Sequence, residues 1–159
     1  NLGDLTWSRE FMLVCPSNPV GTVDLYLTNH HGLDQSNAPA FVHAIQPRVA
    51  IMNNGRRKGG AVQTFQTLET SPGLEDVWQL HWSYAGSVEH NTQGVMIANI
   101  DDREQLAAVV GGAATLPAGP GGVSAHAPAH YLKVSARTDG SFTVTNSRNG
   151  YSKTYAARP

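Results

Sequence analysis

Three residues in the first third of the chain have the types and placement to hold a metal ion. Asp4 follows Gly3, and His30 and His31 follow the apolar run Asp24-Leu25-Tyr26-Leu27-Thr28-Asn29 and precede Gly32. A histidine at the end of a buried strand has its imidazole fixed by the strand. A glycine after it lets the backbone turn sharply and leaves space beside the ring. Imidazole nitrogen and carboxylate oxygen together suit zinc or iron. Side chains alternate along an extended chain, so only one of His30 and His31 is expected to enter a given site. Asp34, Ser36 or Asn29 could orient that ring, as groups outside the ligand set commonly do. The plainer alternative is a surface turn.

A second candidate is the basic loop Arg56-Arg57-Lys58-Gly59-Gly60. Arginine binds anions through two parallel hydrogen bonds, and glycine exposes backbone N–H groups. Arg56, Arg57 and Lys58 are therefore candidates to bind an anionic substrate group, with a solvated charged loop as the alternative. The lone Cys15 excludes an intrachain disulfide and a cysteine zinc finger, and no base partner for a thiol nucleophile is evident.

The elements that must position these residues alternate. A strand is expected over 23–28, followed by a helix from Pro39 through Ile45, with Ser36 or Asn37 as its cap. A second strand covers 48–53, a second helix 61–70 and a third strand 77–82, with Val77, Gln79 and His81 opposite Trp78, Leu80 and Trp82. One or two helical turns are expected over 10–14, ended by Pro16. This alternation is that of an α/β layered domain. Farther on, 95–100 reads as a strand, 101–106 as the opening of a helix, and 111–129 as a flexible Gly/Ala/Pro-rich insertion. Residues 130–137 and 141–146 read as a hairpin around Asp139-Gly140. Trp7, Trp78 and Trp82 are core candidates.

The chain has 159 residues and a net charge of −1 with histidines neutral. That length suits one globular domain or most of one. The charge does not indicate nucleic acid as a partner. No apolar run is long enough to span a membrane.

The order Gly3-Asp4-Leu5, then Val23 to Gly32, then Ser36, then Pro47-Arg48-Val49-Ala50-Ile51-Met52-Asn53-Asn54-Gly55, resembles the metallo-β-lactamase-fold hydrolases. The branch most resembled includes the hydrolase domain of competence-type DNA-uptake proteins. The segments 71–81 and 142–155 look like those of uncharacterised bacterial hydrolases of this fold. The resemblance implies a four-layer αββα sandwich with one or two metal ions, most often zinc. It implies that Asp4 matches the late aspartate that bridges two metals, and that one of His30 and His31 matches the last histidine ligand.

The family's His-x-His-x-Asp-His motif is absent from this sequence. On this resemblance the chain is expected to be the C-terminal part of such a domain. Residues 1–110 would form half of the sandwich, 111–129 an insertion, and 130–159 a hairpin and tail. The rest of the hydrolase domain would lie upstream and supply the remaining ligands, and an exposed sheet face would promote self-association. The function implied is metal-dependent hydrolysis of a small-molecule ester, with the basic loop favouring a phosphate ester. The alternatives are a non-catalytic binding or assembly module and an unrelated α/β domain. Localisation is not indicated.

Overall fold

A computed structural model describes residues 2–100 and 130–158. The expectations for 101–106 and 111–129 lie outside the described residues.

The chain is α/β. Four parallel strands run in the order β1 (Leu25–Leu27), β2 (Val49–Met52), β3 (Asp76–His81) and β4 (Ile97–Asn99). Helix α2 (Pro39–Ile45) connects β1 to β2, and α3 (Val62–Glu69) connects β2 to β3. Parallel crossovers share one hand, so strands added in sequence order place their connecting helices on a single face. That face packs Tyr26, Ala50, Met52 and Val77 against Val14 of α1 (Trp7–Val14), Phe41, Val42 and Ile45 of α2, and Phe65 and Leu68 of α3. All four residues of β2 are buried, as expected of an interior parallel strand covered on both faces.

The other face is covered by an antiparallel sheet of β5 (Leu132–Ala136), β6 (Phe142–Asn146) and β7 (Ser152–Tyr155). Phe142, Val144 and Tyr155 pack there on Val49, Ile51, Trp78 and Met96. The layers are therefore helix, parallel sheet and antiparallel sheet. The outer face of the last layer carries the hydroxyl pairs Thr143–Thr154 and Thr145–Ser152, each at 2.9 Å.

Several expectations are corrected. The sheet face expected to lie open is covered by the chain's own C-terminal strands. The hairpin has a third strand, missed because Ser-Lys-Thr-Tyr contributes one apolar residue to the core. Tyr155 makes that strand hold: its hydroxyl donates to Asp76 at 2.7 Å and accepts from Trp78 Nε1 at 2.9 Å, while its ring stacks on Phe142 at 4.9 Å. The strand at 95–100 is shorter, because a 3-10 turn at Gly94–Met96 precedes β4. Trp7 is 39% exposed rather than core, since its indole N–H donates to the carbonyl of Ser36 at 3.0 Å and holds the ring at the surface.

Neither Ser36 nor Asn37 caps α2. Its N-cap is Ala38, whose side chain has no acceptor. The carboxylate of Glu10, on α1, accepts from the backbone N–H groups of Asn37 at 2.8 Å and Ala38 at 2.7 Å. An acceptor from another helix thus satisfies donors that a helix start leaves open.

Candidate metal-binding and substrate site

The four described parallel strands end on one side, and the loops that follow β1, β2 and β3 meet there. Ligands of open α/β sheets lie at this carboxyl edge. After β1 the chain enters a short 3-10 segment, Asn29–Gly32, in which His30 (φ 50°), His31 (φ 58°) and Gly32 (φ 77°) are all left-handed. Two successive non-glycine residues in this region carry backbone strain of order 1–3 kcal/mol each, and such strain clusters at functional sites. The extended geometry expected for the pair is therefore corrected. The rings do not alternate across a strand. They sit side by side, with centroids 6.4 Å apart and planes tilted by 56°.

Each imidazole is held differently. His30 Nε2 lies 3.9 Å from Asp4 Oδ2, and its Nδ1 lies 3.4 Å from Ser36 Oγ. His31 Nδ1 is 3.1 Å from the carbonyl oxygen of Asn53, just past β2. A carbonyl only accepts, so Nδ1 of His31 carries the proton in that contact and Nε2 is left as an acceptor, the tautomer a metal ligand needs. Asp4 reaches His30 because the backbone N–H of His30 donates to the carbonyl of Gly3 at 2.9 Å. The structure thus brings Asp4 and the His30/His31 turn together.

Of the three groups expected to orient a ring, Ser36 does so and is buried. Asn29 turns its side-chain amide to Glu10 and the Leu2 N–H instead, and Asp34 is exposed beside Trp7 at the rim of a shallow groove. The Asn53 carbonyl escaped sequence reasoning, because any residue type offers one.

The basic loop is less mobile than its glycines suggest. The Gly55 N–H donates to the Lys58 carbonyl at 2.8 Å, and the Tyr84 N–H donates to that of Arg56 at 2.9 Å. Gly59 and Gly60 are buried against the histidine turn, where the Gly60 N–H donates to the His31 carbonyl at 3.0 Å. A Cβ on Gly59, with φ of 77°, would stand 1.8 Å from the His31 oxygen. Only glycine permits this approach. Arg57 and Lys58 are exposed and Arg56 is half-buried, so the basic residues flank the histidine turn.

The His30 imidazole faces the Asp4 carboxylate, and the His31 imidazole turns its Nδ1 to the Asn53 carbonyl. Among the described residues no three of the types His, Cys, Asp and Glu gather closely enough to hold an ion together. No helix among the described residues is long and apolar enough to cross a membrane.

Comparison of the chain with models of protein families, with curated proteins and with solved structures finds no match.

Proposed function

We propose that this chain carries part of the metal centre of a metallo-β-lactamase-fold hydrolase. Asp4 and His30, the one histidine of the pair that stands against the carboxylate, act as zinc ligands. The observation that carries this reading is the 3.9 Å approach of Asp4 Oδ2 to His30 Nε2 in a left-handed turn at the carboxyl edge of a parallel sheet. The αββ layering is three of the four layers that this fold would have. Further ligands would come from outside the set assembled here.

Bound zinc would supply a water acidified far below its ordinary pKa, to about 7. The chain's own residues do the rest. Ser36 and the Asn53 carbonyl fix the two imidazoles, and the glycines of the 59–60 turn hold the loop against His31. Arg57 and Lys58, with Arg56, present positive charge to an anionic ester, for which a phosphate ester is the chemistry that fits.

The test is zinc titration by calorimetry together with hydrolysis of a chromogenic phosphodiester by the full-length protein. Binding of zinc that Asp4→Ala and His30→Ala both abolish, with chelator-sensitive hydrolysis, is the expected result. Absence of bound zinc and of chelator sensitivity would sink the proposal. A second reading, a binding or assembly module, is favoured by the apolar Phe11 and Met12 that α1 leaves exposed.

A further inference from the structure

Glu10 is fully buried, yet it lies on a surface helix and touches none of the candidate ligands. Its carboxylate accepts three hydrogen bonds: from Asn29 Nδ2 at 2.7 Å, from the Asn37 N–H at 2.8 Å and from the Ala38 N–H at 2.7 Å. All three partners are donors, so the position calls for a group that only accepts, and a carboxylate is the side-chain group of that kind.

The consequence passes through Asn29. With its amide nitrogen facing Glu10, its Oδ1 must point the other way, where it accepts from the Leu2 N–H at 3.1 Å. That contact anchors the Gly3-Asp4 turn, whose Gly3 carbonyl takes the His30 N–H at 2.9 Å. Asn29 also opens the left-handed turn itself, and its backbone N–H donates to Asn37 Oδ1 at 3.0 Å. Asn37 Nδ2 returns a bond to the Asn29 carbonyl at 3.1 Å. One carboxylate therefore orients the segment that carries Asp4, the turn that carries both histidines, and the start of α2 beyond Ser36.

We propose that Glu10 is the positioning residue of this site: its carboxylate fixes the Asn29 amide and thereby sets Asp4 against His30. The link to metal binding rests on the reading that His30 and Asp4 are ligands, whereas the positioning itself does not.

Glu10→Gln keeps the shape but replaces one acceptor with a donor facing donors. Two quantities are measured on the full-length protein: amide hydrogen exchange of His30 relative to the sheet-core amide of Ala50, and zinc affinity by calorimetry. The expected result is that His30 exchange rises at least about tenfold over Ala50 and zinc binds at least about tenfold more weakly. A variant in which His30 and Ala50 exchange keep their wild-type ratio overturns the proposal, because a merely structural role loosens both together. If the wild type binds no zinc, the metal reading falls and the exchange ratio still decides for or against Glu10. Should Glu10→Gln not fold, Asn29→Ala leaves the Asn37 and Ala38 bonds of Glu10 in place and removes only the amide that links Glu10 to the Leu2 N–H. It should release His30 selectively, and an unchanged ratio there also overturns the proposal.

Discussion

Asp4 Oδ2 and His30 Nε2 stand 3.9 Å apart although the residues belong to different segments, one before α1 and one after β1. The carboxylate is largely exposed and the imidazole largely buried. A surface contact of this kind contributes at most about 1 kcal/mol to folding, so stability gives little reason for the approach, whereas the shared ligand proposed above would. Zinc titration should separate the roles around it. Asp4→Ala is expected to lose binding, and Ser36→Ala, which frees His30 Nδ1, to weaken it about 10- to 100-fold. Equal affinity of Ser36→Ala and wild type would remove Ser36 from the site.

The glycine turn that presses on His31 can be tested by comparing two alanine substitutions. Gly59 and Gly73 share a φ of 77°, but a Cβ at Gly73 has nothing within 4 Å, whereas at Gly59 it meets the His31 carbonyl at 1.8 Å. Both substitutions carry the left-handed penalty, about 1–2 kcal/mol. Only Gly59→Ala must also displace the turn. Urea unfolding should show Gly59→Ala to be the less stable by at least a further ~1 kcal/mol, with weaker zinc binding. Equal midpoints for the two variants would show that the 59–60 loop yields without moving His31.

Much of this arrangement was legible because local signals and tertiary roles agree. The strand expected over 48–53 forms as β2, and the spacing of Phe65 and Leu68 declares the inward face of α3, whereas the apolar run at 23–28 belongs to an edge strand in which only Tyr26 is buried. Asp4 and the histidine pair were singled out by the resemblance to the hydrolase motifs, since Gly-Asp and His-His-Gly alone read as turns. The geometry of His30 and His31 was not legible. Left-handed φ at a histidine is unfavourable locally, and it is imposed by partners distant in sequence: Gly3 and Asn53 on the histidines themselves and Glu10 on the adjacent Asn29. Glu10 was hidden for a related reason. Its position reads as an ordinary polar site on an amphipathic helix, and its three donors come from segments that only the fold brings near.

Alkaline unfolding should report on the same region through Tyr26. This residue is 3% exposed, and burial pushes its phenol well above the ordinary value of 10.0. The bond that its hydroxyl accepts from the Asn29 N–H opposes that shift and does not cancel it. A raised folded-state pKa favours the neutral form in the folded state. The stability it contributes is complete below pH 10 and is lost as pH rises beyond, where the unfolded tyrosine ionises and the folded one does not. Tyr26→Phe removes the donor to Asn37 Oδ1 and should cost about 1 kcal/mol at pH 7. Its deficit should shrink between pH 10 and 11.5. A deficit constant across that range would show that Tyr26 does not titrate with unfolding.

The final prediction concerns what fixes the antiparallel layer to the parallel sheet. Phe142 is 4% exposed and Tyr155 1%, and they face the same cluster around Trp78 by different means. Phe142 contributes apolar area alone, so Phe142→Ala should cost about 3–5 kcal/mol. Tyr155 also carries a hydroxyl that satisfies Asp76 and Trp78 together. Asp76 keeps Lys153 as a partner when that hydroxyl is removed, but the Trp78 indole N–H loses its acceptor in a buried place. Tyr155→Phe should therefore cost about 1–3 kcal/mol although it removes one atom. Trp78→Phe should therefore cost less in the Tyr155→Phe background than in the wild type, because the orphaned donor is gone. Additive effects of the two substitutions in chemical denaturation would mean that the hydroxyl serves Asp76 alone and that the layer is held by packing without this bond.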